Sequence, residues 1–349
     1  MSALRVGVLS FAHVHAVGYV EVLSARPDVE LLTTDPDAAS APPGELRGAA
    51  LAASLDAPYV DSLEELLAWG PDAVVVCTEN ARHRDAVERL AAVGVHVLCE
   101  KPLATTVEDA EAMVAACRAA GVYLMTAYPT RFAPSYRALR GLVRDGALGR
   151  VLAATGTNNG QLPAGRAWFS EPALAGGGAL VDHVVHVTDL LDDLLGLPVR
   201  RVRAVINEIL HAGAGVETGG LVCLSYDGGV EVALDCSWSQ PAHAPTWGGL
   251  TLEVVGTRGL ASIAPFDDRV GGFDKRARNT AWLPYGANLD ALMIDHFLAG
   301  VRTGARPQPD GEAGLRTVRV VAAAQESART GRPVDLEESW SLHDAPSVR

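Results

Sequence analysis

The segment Gly94-Val-His-Val-Leu-Cys-Glu-Lys-Pro-Leu-Ala-Thr-Thr106 decides the fold that we expect for this chain. Its apolar residues 96–99 predict a short buried strand, and a helix follows the segment. The strand delivers Glu100-Lys101-Pro102 to its carboxyl end. In an open parallel sheet, ligands bind in the crevice beyond the carboxyl ends of the strands. We therefore predict that Lys101 lies in a functional crevice rather than on an ordinary surface turn.

Apolar runs alternate with helical segments through the first 127 residues. Four runs are expected to be buried strands: Leu4–Leu9, Val29–Thr34, 73–77 and His96–Cys99. The helices between them have ten or more residues in most cases, and glycines such as Gly94 and Gly121 end two of them. This alternation predicts a doubly wound parallel sheet of the Rossmann type in an α/β protein.

The pattern changes after residue 128 and predicts a second domain. A helix over 178–195 carries apolar residues at three- and four-residue steps. Residues 230–239 then alternate with period two, and glycine-bearing turns at 227–229 and 256–259 predict hairpins. We expect domains at 1–127 and 128–349, the second an α+β unit with a large, mostly antiparallel sheet. We also expect a strand at 150–156, a polar loop at 157–171 and a mobile loop at 266–286.

Composition narrows the class of protein. The chain has 349 residues and a net charge of −13, which argues against a nucleic-acid partner because phosphate backbones require a basic surface. A strand begins at Leu4, so we expect no signal peptide, and no apolar run reaches the roughly 20 residues of a membrane span. Five cysteines without CxxC spacing indicate a reduced, cytoplasmic protein.

The turn after the first strand is the expected phosphate site of a dinucleotide. Ser10, Ala12 and His15 occupy the three glycine positions of GxGxxG, and the small side chains at 10 and 12 still let backbone N–H groups approach a pyrophosphate. His13 and His15 either contact a ligand or cap and fill the turn. Asp35, at the end of the second strand, would accept ribose hydroxyls and favour NAD over NADP; an Asp-Pro turn is the alternative.

Two further groups of polar residues carry candidate chemistry. Thr78, Asn80 and His83 follow the strand at 73–77; they could line the crevice, or Asn80 could cap a helix. Asp182 and His186 share one face of the predicted helix, and a carboxylate beside an imidazole suits a general base. A surface pair is one alternative, and a metal site that uses Asp182, His183, His186 and the distant His13 and His15 is another.

These motifs together resemble the glucose-fructose oxidoreductase / inositol dehydrogenase (Gfo/Idh/MocA) family over nearly the whole chain. The matching residues are Asp35, Asn80-x-x-His83, Glu100-Lys101-Pro102, Tyr128-Pro129-Thr130-Arg131-Phe132-x-Pro134, Gly176-Gly177-Gly178-Ala179-Leu180, Asp182-x-x-x-His186 and Glu326-Ser327-x-x-x-Gly331. The resemblance implies an NAD(P)-dependent enzyme with no metal that assembles as a homodimer or homotetramer.

We therefore expect an oxidoreductase that transfers hydride between a nicotinamide cofactor and a hydroxyl of a sugar, polyol or inositol-like molecule. His186 takes the proton, Lys101 binds the reacting oxygen, and Asp182 orients His186 or binds a neighbouring hydroxyl. The expected cofactor contacts are Ser10, Ala12, His13, His15, Asp35, Thr78, Asn80, His83, Glu100 and Lys101. The expected substrate contacts are Tyr128, Arg131, Asn158, Arg166, Trp168, His183 and His243. An NAD-assisted glycosidase and a non-catalytic dinucleotide- or sugar-binding protein are the alternatives.

Overall fold

The computed structural model describes residues 3–163, 165–244, 248–276 and 278–336. A six-stranded parallel sheet forms the first part of the chain. Its strands are β1 Leu4–Leu9, β2 Val29–Thr34, β3 Tyr59–Val60, β4 Ala73–Val76, β5 His96–Cys99 and β6 Leu124–Thr126. The spatial order is β3-β2-β1-β4-β5-β6, which reverses direction beside β1 as a Rossmann sheet does. The predicted fold class is confirmed.

Helices cover both faces of this sheet. They are α1 His15–Ser24, α2 Gly48–Ser54, α3 Leu63–Trp69, α4 His83–Ala92 and α5 Val107–Ala120. In β4, Val75 packs in the core that includes α1, whereas Val74 and Val76 pack in the core of α3, α4 and α5. Burial on both faces explains why the central strands are continuously apolar.

A seven-stranded sheet forms the second part. Its strands are β7 Val151–Gln161, β8 Val199–Asn207, β9 Gly219–Tyr226, β10 Val230–Gln240, β11 Gly248–Gly256, β12 Gly259–Ile263 and, near the end of the described chain, β15 Val334–Asp335. The order is β12-β11-β7-β10-β9-β8-β15, and within the described part of this sheet only the β7–β10 pair is parallel. Both predicted hairpin turns are present.

The remaining elements are β13 Arg269–Asp274, β14 Asn279–Pro284 and five helices: α6 Pro134–Arg144, α7 Pro172–Ala175, α8 Ala179–Leu195, α9 Leu289–Thr303 and α10 Gly311–Thr330. The apolar stripe of α8 packs on one face of the second sheet, as its spacing predicts. The opposite face of that sheet carries exposed side chains that include Val205 and Leu221.

Two predicted loops are strands instead. Residues 157–161 extend β7, because their backbone pairs with β10 on one side and β11 on the other. Polar residues are stable there since the ladder satisfies their peptide groups, and Thr157 also contacts Thr251 through its hydroxyl at 2.7 Å. Residues 266–286, expected to be a mobile loop, contain the β13–β14 hairpin.

The last helices return to the first part of the chain. Met293 and Phe297 of α9 are buried in the core that also contains α1, and Leu315 of α10 is buried beside α5. The division at residues 127 and 128 stays a prediction, since the end of the chain completes the first hydrophobic core. The described residues include no helix with the length and apolarity that crossing a bilayer requires.

Candidate active site

Lys101 lies in the turn that follows β5, where a cis peptide bond joins it to Pro102. Its ammonium Nζ donates to Asp182 Oδ1 on α8 at 2.6 Å. Both side chains are buried, with 5% and 11% of their surfaces exposed. A short contact between buried opposite charges fixes the position of each. This ion pair therefore joins the carboxyl edge of the first sheet to the central helix of the second part.

Asp182 has further partners on its other oxygen. His183 Nε2 lies 3.1 Å from Oδ2, and the indole of Trp238 on β10 donates to the same oxygen at 3.3 Å. Burial would raise the pKa of Asp182, but the Lys101 and His183 charges hold it well below its usual value. Asp182 is therefore a carboxylate, and its described hydrogen bonds go to these three residues. The expected hydrogen bond between Asp182 and His186 is not formed, because the carboxylate binds Lys101, His183 and Trp238 instead.

His186 lies one helical turn beyond Asp182. Its Nδ1 is buried and has no hydrogen-bond partner among the described residues, and its ring meets Tyr128 edge to face with centroids 5.9 Å apart. Burial, assisted by the Lys101 charge, lowers the pKa of His186 well below its ordinary value. The imidazole is therefore neutral near pH 7 and keeps a lone pair available, which is the state that a general base requires.

A cavity of about 570 Å³ opens against these residues, within the range of small-molecule sites. Its walls include six of the predicted site residues: His15, Lys101, Asn158, Asp182, His183 and His186. Asn158 and His183 hold each other in place: Asn158 Nδ2 donates to the His183 carbonyl at 3.1 Å, and His183 Nδ1 lies 2.6 Å from the Asn158 carbonyl. The structure therefore brings the Lys101 turn and the Asp182 helix to one cavity.

Three polar cavity residues were not among the predicted site residues. Thr130 follows β6 and was part of the Tyr128-to-Pro134 motif, whereas Asp268 and Asp290 lie just before β13 and at the start of α9. An Asp in the first turn of a helix normally indicates favourable interaction with the helix dipole. No local signal could have linked residues 268 and 290 to Lys101, which is more than 160 positions away.

The first strand–helix turn compensates for its missing glycine. Ser10 has φ +75°, the left-handed conformation that glycine usually provides. Its hydroxyl accepts from the Ala12 N–H at 3.1 Å and donates to Asp35 Oδ1 at 3.0 Å. Serine hydroxyls commonly stabilise turns by such local bonds. The turn thus has the conformation of a phosphate-binding turn while carrying a side chain.

Asp35 lies at the predicted position at the end of β2, but Arg47 binds it. Arg47 Nε and Nη2 donate to the two carboxylate oxygens at 2.7 Å each, and the Gly48 N–H donates at 2.9 Å. Burial would raise the pKa of Asp35, but these contacts lower it, so the group is a carboxylate. Arg47 was not predicted from the sequence, because it precedes a short helix and has no motif around it.

Several buried polar atoms at the carboxyl edge of the first sheet have no hydrogen-bond partner among the described residues. They are His13 Nε2, Thr34 Oγ1, Thr78 Oγ1 and Asn80 Oδ1. Buried polar atoms are normally paired, so a row of unpaired ones suits a polar ligand that lies along this edge. Asn80 does not cap a helix; its Nδ2 donates to the Ala175 carbonyl of α7 at 2.9 Å. The edge therefore fits a dinucleotide.

His15 and His13 differ in their surroundings. His15 Nδ1 lies 3.0 Å from Glu100 Oε1, and Tyr19 donates to the same oxygen at 2.5 Å. Although burial opposes it, the Glu100 charge raises the pKa of His15, whereas burial lowers that of His13 well below its usual value. Burial would likewise raise the pKa of Glu100, but the neighbouring imidazoles and Lys101 hold it well below the usual range.

His13, His15 and Glu100 also place three metal-ligand atoms within 4.8 Å of one another. The nearest His13 and His15 nitrogens already have protein partners: His13 Nδ1 accepts from the His15 N–H at 3.3 Å, and His15 Nδ1 bonds to Glu100. This arrangement explains the cluster by hydrogen bonding. The expectation that the site uses no metal stays a prediction.

His83 has a structural environment. Its Nδ1 lies 3.1 Å from the carbonyls of both Pro102 and Leu103, and its Nε2 lies 3.3 Å from the Thr78 carbonyl. Both nitrogens are thus engaged by backbone, and the ring is fully buried. His83 holds the Lys101 turn against the preceding strand end, which differs from the direct cofactor contact that we expected.

Tyr128 and Arg131 also have partners away from the cavity. The Tyr128 hydroxyl lies 2.7 Å from Thr317 Oγ1 on α10. Arg131 binds Asp189 of α8 through two contacts at 2.7 and 2.8 Å. A bidentate, buried arginine–carboxylate pair leaves little freedom to bind another anion. These two residues support the walls of the site, and their predicted direct contact with substrate is not supported.

Arg166 and Trp168 reach the first turn instead. Arg166 Nε and Trp168 Nε1 both donate to the Ala12 carbonyl, at 3.1 and 3.0 Å. The segment after β7 therefore closes over the turn that carries Ser10 and Ala12. His243 is exposed after β10 and is absent from the cavity walls.

Family models match both parts of the chain. The model for the NAD-binding Rossmann fold of the oxidoreductase family matches residues 36–128, and the model for the GFO/IDH/MocA C-terminal domain matches residues 136–262.

Curated relatives and a solved structure agree with this. The chain is 31% identical to D-apiose dehydrogenase of Paraburkholderia graminis, covering 87% of this chain and 82% of the relative. It is 33% identical to 1,5-anhydro-D-fructose reductase of Ensifer adhaerens, covering 80% and 84%. A crystal structure of GenD2 from gentamicin A biosynthesis in complex with NAD superposes with a TM-score of 0.85 at 28% identity, covering 97% of each chain. This chain therefore belongs to the Gfo/Idh/MocA family of NAD(P)-binding oxidoreductases.

Proposed function

We propose that the protein is an NAD-dependent dehydrogenase that oxidises a CH–OH group of a polyhydroxylated small molecule such as a sugar, polyol or inositol. One observation carries the proposal. His186, which is neutral and whose Nδ1 has no hydrogen-bond partner among the described residues, lines the same cavity as the Lys101–Asp182 ion pair. In this assignment residues 1–127 bind the cofactor and residues 128–349 form most of the substrate site.

Several residues support a cofactor position along the carboxyl edge of the first sheet. The Ser10–Ala12 turn lies at this edge, although its Ser10 and Ala12 N–H groups already donate to the Thr34 carbonyl and the Ser10 hydroxyl. Thr78 Oγ1 and Asn80 Oδ1 have no hydrogen-bond partner among the described residues and support a polar ligand beside the turn. Asp35 supports NAD through its charge, since a carboxylate at the end of β2 repels a 2′-phosphate; its two oxygens are already bound by Arg47 and Gly48. Arg47 partly neutralises that repulsion. The nicotinamide supplies the hydride acceptor, which no side chain can provide.

Side chains of the protein accept the proton of the substrate hydroxyl and stabilise the reacting oxygen. His186 accepts the hydroxyl proton on its imidazole, whose Nδ1 has no hydrogen-bond partner among the described residues. Lys101 donates a hydrogen bond to the same oxygen and stabilises the negative charge that develops there. Asp182 holds the Lys101 ammonium in position, rather than the imidazole of His186 as the sequence suggested. Asp182 is thus a positioning residue for Lys101.

The relatives and the geometry of the site favour a dehydrogenase over the two alternatives. The curated relatives described above are a dehydrogenase and a reductase, which does not favour an NAD-assisted glycosidase. A non-catalytic binding protein has no need of a neutral, unpaired imidazole beside a buried lysine.

We further propose a cytoplasmic homodimer or homotetramer that associates through the exposed face of the second sheet, where Val205 and Leu221 lie. Light scattering of the purified protein measures that assembly.

Cofactor titration tests the proposal directly. NADH and NADPH are added to the purified protein while nicotinamide fluorescence and thermal stability are recorded. The proposal expects saturable binding of NADH and a rise in melting temperature with its concentration. NAD is then supplied with a panel of sugars and polyols while NADH absorbance is followed. Failure of both cofactors to bind would overturn the proposal.

A further inference from the structure

The charges of the cavity indicate what kind of substrate it takes. Lys101 and His15, which line the cavity, already have anionic partners: Lys101 is bound to Asp182, and His15 to Glu100. Arg131, which follows the wall residue Thr130, is also engaged, since it binds Asp189. The described walls contain no further lysine or arginine. The cavity therefore offers no free positive charge to a carboxylate or phosphate substrate.

Two wall carboxylates lack such partners. Neither Asp268 nor Asp290 has a side-chain hydrogen bond or ion pair with any residue that the structure describes. Asp290 stands in the first turn of α9, is partly buried, and lies close enough to His15 to influence its charge. Burial raises the pKa of Asp290, a rise that the nearby His15 partly offsets and to which Glu100 adds. Asp268 is more exposed and adds negative charge at the cavity.

Two further wall residues carry polar atoms that have no partner among the described residues. Thr130 is 1% exposed and its Oγ1 has no hydrogen-bond partner among the described residues; the same holds for His186 Nδ1. Both residues line the cavity with Asp268 and Asp290. A hydroxyl and an imidazole suit the hydroxyl groups of a sugar, whereas unpaired carboxylates suit an ammonium group. The walls thus combine features for two substrate groups.

We propose that the substrate of this site is an amino-substituted sugar or cyclitol, whose ammonium group binds Asp290 and is attracted by Asp268. This inference rests on the proposed dehydrogenase function and specifies its substrate class. The ammonium pairs with the partly buried Asp290, which otherwise has no partner among the described residues, while an adjacent hydroxyl faces His186 and Lys101. Substrates that carry a carboxylate or phosphate are repelled, because bringing like charges together in a partly buried site is unfavourable.

Matched sugars that differ by one group test the inference. D-glucosamine, D-glucose and D-glucuronate form one set, and an amino-inositol with myo-inositol forms another. Each is titrated by calorimetry into the protein saturated with NADH, and turnover with NAD is measured in parallel. We expect at least one amine to bind about 10-fold or more tightly than its neutral counterpart, the size that a charged hydrogen bond provides. The glucuronate is expected to bind more weakly than glucose.

Variants identify the carboxylate that is responsible. Asp290→Asn is expected to remove most of the preference for the amine while leaving binding of the neutral sugar little changed. Asp268→Asn is expected to reduce the preference less, since the group is more exposed and better screened. Asp295→Asn is the matched control: Asp295 is on the same helix, is bound to Arg26 and is absent from the cavity walls.

The outcomes separate the inference from the function on which it rests. Equal or weaker binding of every amine relative to its neutral partner, with NADH binding intact, overturns the inference and leaves the dehydrogenase proposal standing. An amine preference that survives in Asp290→Asn and in the double Asp268→Asn/Asp290→Asn variant also overturns it. Absence of NADH and NADPH binding overturns the proposed function itself.

Discussion

The ammonium of Lys101 and the carboxylate of Asp182 lie 2.6 Å apart, although 81 residues separate them in the chain. One stands at the carboxyl end of a parallel strand, and the other lies in the first turn of the helix that packs on the antiparallel sheet. Because this contact joins one charge from each part of the chain, the geometry of the site depends on the distance between the two parts. The reacting groups are therefore positioned by tertiary packing rather than by either motif alone.

Replacement of Lys101 by Met should abolish turnover while cofactor binding persists. The lysine supplies a hydrogen bond to the developing oxyanion, and loss of such a donor reduces kcat by about 10²- to 10³-fold. The change also leaves Asp182 without its closest cation, so the melting temperature should fall. Stopped-assay turnover, NADH fluorescence titration and thermal denaturation measure the three effects.

A double variant separates the two consequences of that change. Lys101→Met/Asp182→Asn removes both charges, so it should recover stability relative to the single variant but remain inactive. Lys275→Met is the matched control, since Lys275 is exposed in the turn after β13. Full activity in Lys101→Met would contradict the assigned role, and lost NADH binding would make the lysine a cofactor residue.

The pH profile should reflect the environment of His186. Its pKa in the folded protein lies well below the usual value because the ring is buried beside Lys101. His186 therefore stays unprotonated at about pH 6.5 and somewhat below. The acidic limb of kcat/KM should then lie below about pH 6.5. A limb at or above pH 6.5 that disappears in His186→Asn would contradict this.

The same shift predicts the direction of a stability effect. The unfolded chain binds a proton at His186 near the ordinary pKa, whereas the folded chain resists it. The contribution of this group to stability is therefore fully present above about pH 6.5 and is lost as pH falls from there toward the lowered pKa. Urea unfolding at several pH values, compared between the parent protein and His186→Asn, isolates the contribution. The loss on acidification should be smaller in the variant.

The fold was predictable from local patterns, but much of the site was not. The spacing of apolar residues alone predicts the burial of Val74 to Val76 and of the apolar stripe of α8. Arg131 looked like a substrate ligand because its partner Asp189, 58 positions away, is brought to it only by folding. Likewise, Asp182 and His186 have the spacing of a contact, yet Lys101 competes for the carboxylate. Where a side chain has several possible partners, sequence spacing does not determine which one it meets.

The left-handed conformation of Ser10 leads to another test. Ser10→Gly should relieve a backbone cost of about 1–2 kcal/mol and lose the bonds of the hydroxyl to the turn and to Asp35. Ser10→Ala loses the same bonds and keeps the strain. The glycine variant should therefore melt at a higher temperature than the alanine variant, and it should retain NADH binding. An alanine variant at least as stable as the glycine variant would argue against strain at this position.

The buried Asp35–Arg47 pair should set the choice between NADH and NADPH. Asp35→Asn removes the charge that repels a 2′-phosphate, so the ratio of the NADPH to the NADH dissociation constant should fall. Arg47→Gln leaves the carboxylate without its two 2.7 Å contacts, so the ratio should rise. Breaking a buried pair costs about 3–5 kcal/mol, so both variants must be titrated well below their melting temperatures. Arg82→Gln, a change in an arginine that pairs with Asp37 at 36% side-chain exposure, is the control. Opposite shifts in the two variants support the assignment, and a ratio unchanged in both means that this pair does not contact the adenosine ribose.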